Sequence, residues 1–127
     1  MEVLSSRVLL RPRHFERSLR FYAETLGLRV YREYGSGEGR GVVFFLGGGF
    51  LELSGSGSEV TPDSVGIWLQ VPDLAATEAD LVAGGVEVTQ GARLMPWGLL
   101  ELWAKDPDGL RLVFVEVPQD HPLRRRA

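Results

Sequence analysis

Apolar side chains recur along this chain at two spacings, and the switches between them divide it into elements. Val8-Leu9-Leu10 is a short apolar run of strand type. From residue 14 to 26 the spacing becomes helical: Phe15, Leu19, Tyr22 and Leu26 share one side, and Glu16, Arg17, Arg20 and Glu24 the other. Gly27 stops the helix as a C-terminal glycine does. Alternation returns over 28–34, then comes a glycine-rich loop at 35–39, and strands are predicted at 42–46 and 50–54 around a turn at Gly47-Gly48-Gly49.

The order then starts again. After the Ser/Gly run at 54–58 and a Pro62-Asp63 turn, a strand is predicted at 65–71. Asp73 is the expected N-cap of a helix over 74–83, which Gly84-Gly85 ends. Strands follow at 86–89, 99–104 and 110–117, the last after the turn Asp106-Pro107-Asp108-Gly109. Leu26-Gly27-Leu28-Arg29-Val30 is echoed by Gly84-Gly85-Val86-Glu87-Val88. The prediction is an α+β fold: two tandem βαβββ modules forming a curved mixed sheet around a central cup. A single domain over 1–127 would hold module 1 at about 6–54, a linker at 55–64, module 2 at about 65–117 and a tail at 118–127.

Side chains of a strand alternate between its faces. Val8 and Leu10, Leu51 and Leu53, Ile67, Leu69 and Val71, and Leu112 and Phe114 share one parity, expected to pack under the helices. The other parity mixes aromatic and charged residues: Arg7, Leu9 and Arg11; Phe50, Glu52 and Ser54; Gly66, Trp68 and Gln70; Leu99, Glu101 and Trp103; Arg111, Val113 and Val115. Large aromatic residues among a few polar groups suit a ligand pocket, or else a dimer interface or closed barrel.

Composition narrows the chemistry. Of the 127 residues 44% are apolar and 24% charged, as in a globular protein. No cysteine is present, which excludes disulfides, thiol catalysis and zinc–thiolate sites. The net charge of −3 gives no broad basic surface, so no nucleic-acid partner is expected. Arg124-Arg125-Arg126 reads as a solvated tail. No apolar run is long enough to span a membrane. No basic-then-apolar leader follows Met1, so a cytoplasmic protein is expected.

The runs Arg13-His14-Phe15-Glu16-Arg17-Ser18-Leu19-Arg20-Phe21-Tyr22, Leu26-Gly27-Leu28, Leu51-Glu52-Leu53, Pro96-Trp97-Gly98 and Asp106-Pro107-Asp108-Gly109 together resemble the vicinal oxygen chelate superfamily. That superfamily holds glyoxalase I, extradiol dioxygenases, fosfomycin-resistance enzymes and bleomycin-resistance proteins. The resemblance spans roughly residues 7 to 117. It implies a divalent-metal site at positions that carry Arg7, Glu52, Gly66 and Val113 here. Only Glu52 of these can ligate a metal, so neither metal nor cofactor is expected. A rearranged site on Glu52 and Glu101 is the alternative. The metal-free, bleomycin-resistance-like branch is the nearest resemblance. It implies a twofold homodimer with drug grooves at its interface, and a drug-lining role for Trp97.

The departures are cationic. Arg7, Arg11, Arg93 and Arg111 would fall in or near the cup, which suits an anionic ligand better than a cationic drug. Arg7 is expected to pair with Glu52, a ligand-facing role being the alternative. An arginine partner is likewise expected for Glu101. His14 reads as a surface or capping residue, and Gly47-Gly48-Gly49 lacks the lysine and helix start of a phosphate loop.

The leading expectation is therefore a metal-independent small-molecule binding protein of the glyoxalase/bleomycin-resistance type, with antibiotic sequestration as its candidate activity and no catalytic residue assigned. Its binding residues would be Trp97, Trp68, Trp103, Glu52, Glu101, Arg7, Arg111 and Phe50. A glyoxalase-like, metal-dependent lyase or isomerase with an atypical site, and a non-catalytic structural or regulatory dimer, remain as alternatives.

Overall fold

The structure, a computed structural model, describes residues 1–123; the arginine run at 124–126 lies outside them. Contacts divide the chain into two compact units, Met1–Val60 and Thr61 onward.

In the first unit, β1 (Arg7–Leu10) leads to α1 (Phe15–Arg20), and then come β2 (Val30–Tyr34), β3 (Gly41–Leu46) and β4 (Gly49–Ser54). The sheet order is β1-β4-β3-β2, with β1 parallel to β4 and the other pairs antiparallel. The second unit repeats it: β5 (Gly66–Gln70), α2 (Leu74–Ala83), β6 (Glu87–Leu94), β7 (Leu100–Lys105) and β8 (Arg111–Glu116), ordered β5-β8-β7-β6. Parallel β5 and β8 again flank antiparallel pairs. Two βαβββ modules with four-stranded mixed sheets are thus present, as the repeated spacing predicts.

The alternation also places the cores. Leu51 and Leu53 with Val42, Phe44 and Tyr22 are buried in the first unit, and Leu102, Ala104, Leu112 and Phe114 with Leu74 and Leu81 in the second. Two positions break it. Val8, expected in the core, is exposed. Val115, on the opposite parity, is wholly buried because it packs with Leu99, Val117 and Val113.

The first helix is not regular. After α1 it widens into a π-helical turn at Phe21–Thr25, closed by Leu26 N–H donating to the Phe21 carbonyl at 2.8 Å. The extra residue turns both Phe21 and Tyr22 inward, ring centroids 4.9 Å apart and nearly perpendicular. Gly27 then reverses the chain at φ +69°, a conformation costly for a side-chain-bearing residue. β6 runs further than the predicted 86–89, because β7 pairs with it to Leu94 through register shifts either side of Gln90.

Among the described residues no helix is long and apolar enough to cross a membrane.

Candidate functional site

The second unit carries a cavity of about 390 Å³. Strand register explains its lining. On adjacent strands, Trp68 of β5 faces Val113 of β8, which faces Trp103 of β7, so a small residue sits between two indoles. Two residues along β8, Arg111 lies between Gly66 and Lys105; two residues the other way, Val115 lies between Gln70 and Glu101. The three rows project from one face. Gly66, Ile67, Trp68, Trp97, Glu101, Trp103, Arg111 and Val113 line the cavity. All three tryptophans of the chain meet there.

Trp97 arrives from the turn joining β6 to β7. Met95 N–H donates to the Leu99 carbonyl at 2.8 Å, and Gly98 N–H to that of Met95 at 2.9 Å. Gly98 takes φ +90°, and His121 of the tail lies against it, 3.3 Å from where a Cβ would stand. Glu101, only 4% exposed, then fixes two rings at once. Trp97 Nε1–H donates to its Oε2 at 2.6 Å and Trp103 Nε1–H to its Oε1 at 3.0 Å. The arginine partner expected for Glu101 is corrected here. Arg93, opposite it on β6, turns its Nε to the Met95 sulfur at 3.4 Å instead. Indole N–H groups need acceptors when half-buried, and a charged acceptor gives the stronger bond.

At the other end the Arg111 guanidinium lies over Gly66. A Cβ at residue 66 would stand 3.2 Å from Arg111 Nε and Nη2. Glycine inside a strand marks such a close approach. Arg111 Nε is buried without a hydrogen-bond partner.

The first unit gathers the remaining predicted residues. Arg7 donates to Glu52 Oε1 at 2.7 Å, the expected pairing. Its guanidinium also lies 5.6 Å from the Phe50 ring centroid. Tyr34, for which the sequence carries no local signal, donates its hydroxyl to Glu52 Oε2 at 2.8 Å. It reaches there because its ring lies over Gly41, its partner across the β2–β3 pair. The Tyr34 hydrogen bond, with Arg7 adding to it against desolvation, holds the Glu52 carboxyl below its ordinary range. The same bond raises the Tyr34 phenol above its own. Phe50 also joins Tyr31 and Phe45 in a ring cluster with centroids 4.8 to 5.8 Å apart.

A metal does not fit these residues. Of Arg7, Glu52, Gly66 and Val113 only Glu52 offers a donor, and both its oxygens are engaged. Both oxygens of Glu101 are taken by indoles. Among the described residues no three His, Asp or Glu side chains converge as metal ligands. His14 sits at the N-cap of α1, exposed and making no capping bond.

A family model described as Glyoxalase/Bleomycin resistance protein/Dioxygenase superfamily matches residues 5–114. The crystal structure of SMU.1112c is 23% identical, with TM-score 0.78 over 91% of this chain and 99% of its own. A superfamily member from Sphaerobacter thermophilus DSM 20745 is 27% identical, with TM-score 0.71 over 91% and 97%. A glyoxalase-related enzyme from Fulvimarina pelagi is 22% identical, with TM-score 0.74 over 93% and 90%. No curated protein matches the chain.

Proposed function

The chain belongs to the glyoxalase/bleomycin resistance protein/dioxygenase superfamily, and from that premise we propose that it is a metal-independent small-molecule binding protein whose second unit receives a planar, ring-bearing compound. Sequestration of an aromatic antibiotic is the activity this describes. The observation that carries it is that Glu101 fixes the Trp97 and Trp103 indoles through its two carboxylate oxygens. Trp97 is 55% exposed, and a free surface indole would lose rotamer freedom on binding; one already fixed loses less. Val113 between two indoles leaves a slot at ring height. The residues at the family's metal positions give the alternative, metal-assisted chemistry no support.

A homodimer is part of the proposal. The exposed Tyr31 and Phe45 rings are the kind of apolar surface that a second copy covers. Sedimentation equilibrium should give the mass of two chains, and a monomer at all concentrations would remove this part alone.

The test is a thermal-shift screen with bleomycin-type glycopeptides, aromatic antibiotics, small carboxylates and divalent metals in separate wells. A ligand at a hundred times its Kd adds about 2.7 kcal/mol of stability. A ring-bearing compound should raise the melting temperature with chelator present, and Trp97→Ala should abolish the rise without changing the circular dichroism. A rise with a metal alone, or one that Trp97→Ala leaves intact, contradicts the reading.

A further inference from the structure

Building on the ring-binding reading, we propose that the ligand of this cavity carries an anionic group, a carboxylate or an equivalent oxyanion, which Arg111 binds above Gly66. A guanidinium is always protonated and presents its donors as a fork that fits a carboxylate. Arg7 pairs with Glu52, Arg40 with Glu16 and Glu33, and Lys105 with Asp63, whereas Arg111 meets no carboxylate among the described residues. Its Nε is buried and makes no hydrogen bond. A half-buried cation with an unused donor is costly unless something arrives to satisfy it.

The backbone is built to hold this side chain where it is. Gly66 is the parallel partner of Arg111, and any larger residue there would press on the guanidinium. Lys105, the antiparallel partner of Arg111, adds a second cation to the same row, tied at 3.8 Å to Asp63.

The one carboxylate lining the cavity stands at the opposite end. Glu101 pairs with Val115, four residues along β8 from Arg111, so the two rows are about 13 Å apart. That exceeds the Debye length of about 8 Å at physiological salt. Both oxygens of Glu101 already accept indole N–H bonds, so it does not compete for the guanidinium. Between the two charged rows lies the apolar row of Trp68, Val113 and Trp103. The cavity thus has a ring-binding middle and one cationic end, and it selects a planar aromatic acid over its neutral or cationic counterparts.

Isothermal titration with 2-naphthoate and with its neutral isostere 2-naphthamide tests this. In the unsubstituted protein the acid should bind about tenfold or more tightly than the amide, since a charge-assisted bond is worth about that much. Higher salt should narrow the gap. Arg111→Met should bring the ratio to about one, the acid losing more affinity than the amide. Gly66→Ala, whose Cβ meets the guanidinium and the Arg111 carbonyl oxygen at 3.2 Å, should lower the ratio with Arg111 still present. If both compounds bind equally, the anion inference is overturned and ring binding stands. If neither binds, the reading on which it rests falls with it.

Discussion

Glu52 shows how one side chain can be tied from two directions. Arg7 and Tyr34 each hold one of its oxygens, and the two pKa displacements that result have opposite signs. A carboxylate whose folded pKa is depressed adds stability that is complete above its unfolded value and is lost as pH falls through the folded one. A phenol whose folded pKa is raised adds stability that is complete below its unfolded value and is lost as pH climbs through the folded one. The trio therefore supports the fold between about pH 5 and 9 and weakens on both sides. Glu52→Gln should return Tyr34 toward the ordinary phenol range, so that its tyrosinate absorbance appears at lower pH in ultraviolet titration. An unchanged titration curve would mean that another group sets the phenol. The Arg7–Glu52 pair was legible in the sequence, because a half-buried charge needs a partner. Tyr34 was not, because its reach depends on the register of β2 on β3. The partners of Glu101 are hidden for a related reason. A carboxylate near arginines suggests an ion pair, yet indole N–H groups two and four residues away were closer acceptor-seekers.

At the scale of the element, α2 is the segment whose ends the sequence specified best. Asp73 accepts the Ala76 N–H at 3.0 Å, as an N-cap should, and Glu116 of β8 accepts the Leu74 N–H at 2.8 Å. The helix thus receives one cap from its own sequence and one from the sheet beneath it. Asp73→Ala should lower stability by about 1 kcal/mol and Asp73→Asn by much less, measured from denaturation midpoints at constant slope. Equal midpoints for all three proteins would show that Glu116 suffices. The Glu116 cap has no local sequence signal, since it lies 42 residues from its donor. The π-helical turn was equally hidden. Phe15, Leu19, Tyr22 and Leu26 fit an ordinary helical stripe, and only the packing of adjacent Phe21 and Tyr22 into one core calls for the extra residue. The far half of β6 reads as loop because Gln90, Gly91 and Ala92 break the alternation, and pairing with β7 overrides that local preference.

For the whole molecule, duplication was the strongest signal in the chain. The second half repeats the strand–helix–glycine–strand order of the first, and both sheets have the same connectivity with one parallel pair each. Period and punctuation suffice to show this, because they are set by alternation and by glycine. The chemistry of the second sheet needed the register as well. Trp68, Val113 and Trp103 form a row only because β5, β8 and β7 align there, and the role of Gly66 comes from the Arg111 guanidinium that lies on it. From the sequence alone, Gly66 is only a position without a metal-ligating side chain.

That concentration of all the tryptophan in one cavity makes intrinsic fluorescence a direct reporter of the central claim, metal-independent binding of a planar compound by the second unit. The decisive measurement is a fluorescence titration of the intact protein with 2-naphthoate in excess chelator, repeated on Glu101→Gln, which keeps the side-chain shape but removes the charged acceptor of Trp97 and Trp103. Saturable quenching is expected in the unsubstituted protein, with a clearly weaker response in the variant. A titration without saturation, or quenching that appears only when a divalent metal is added back, would contradict it.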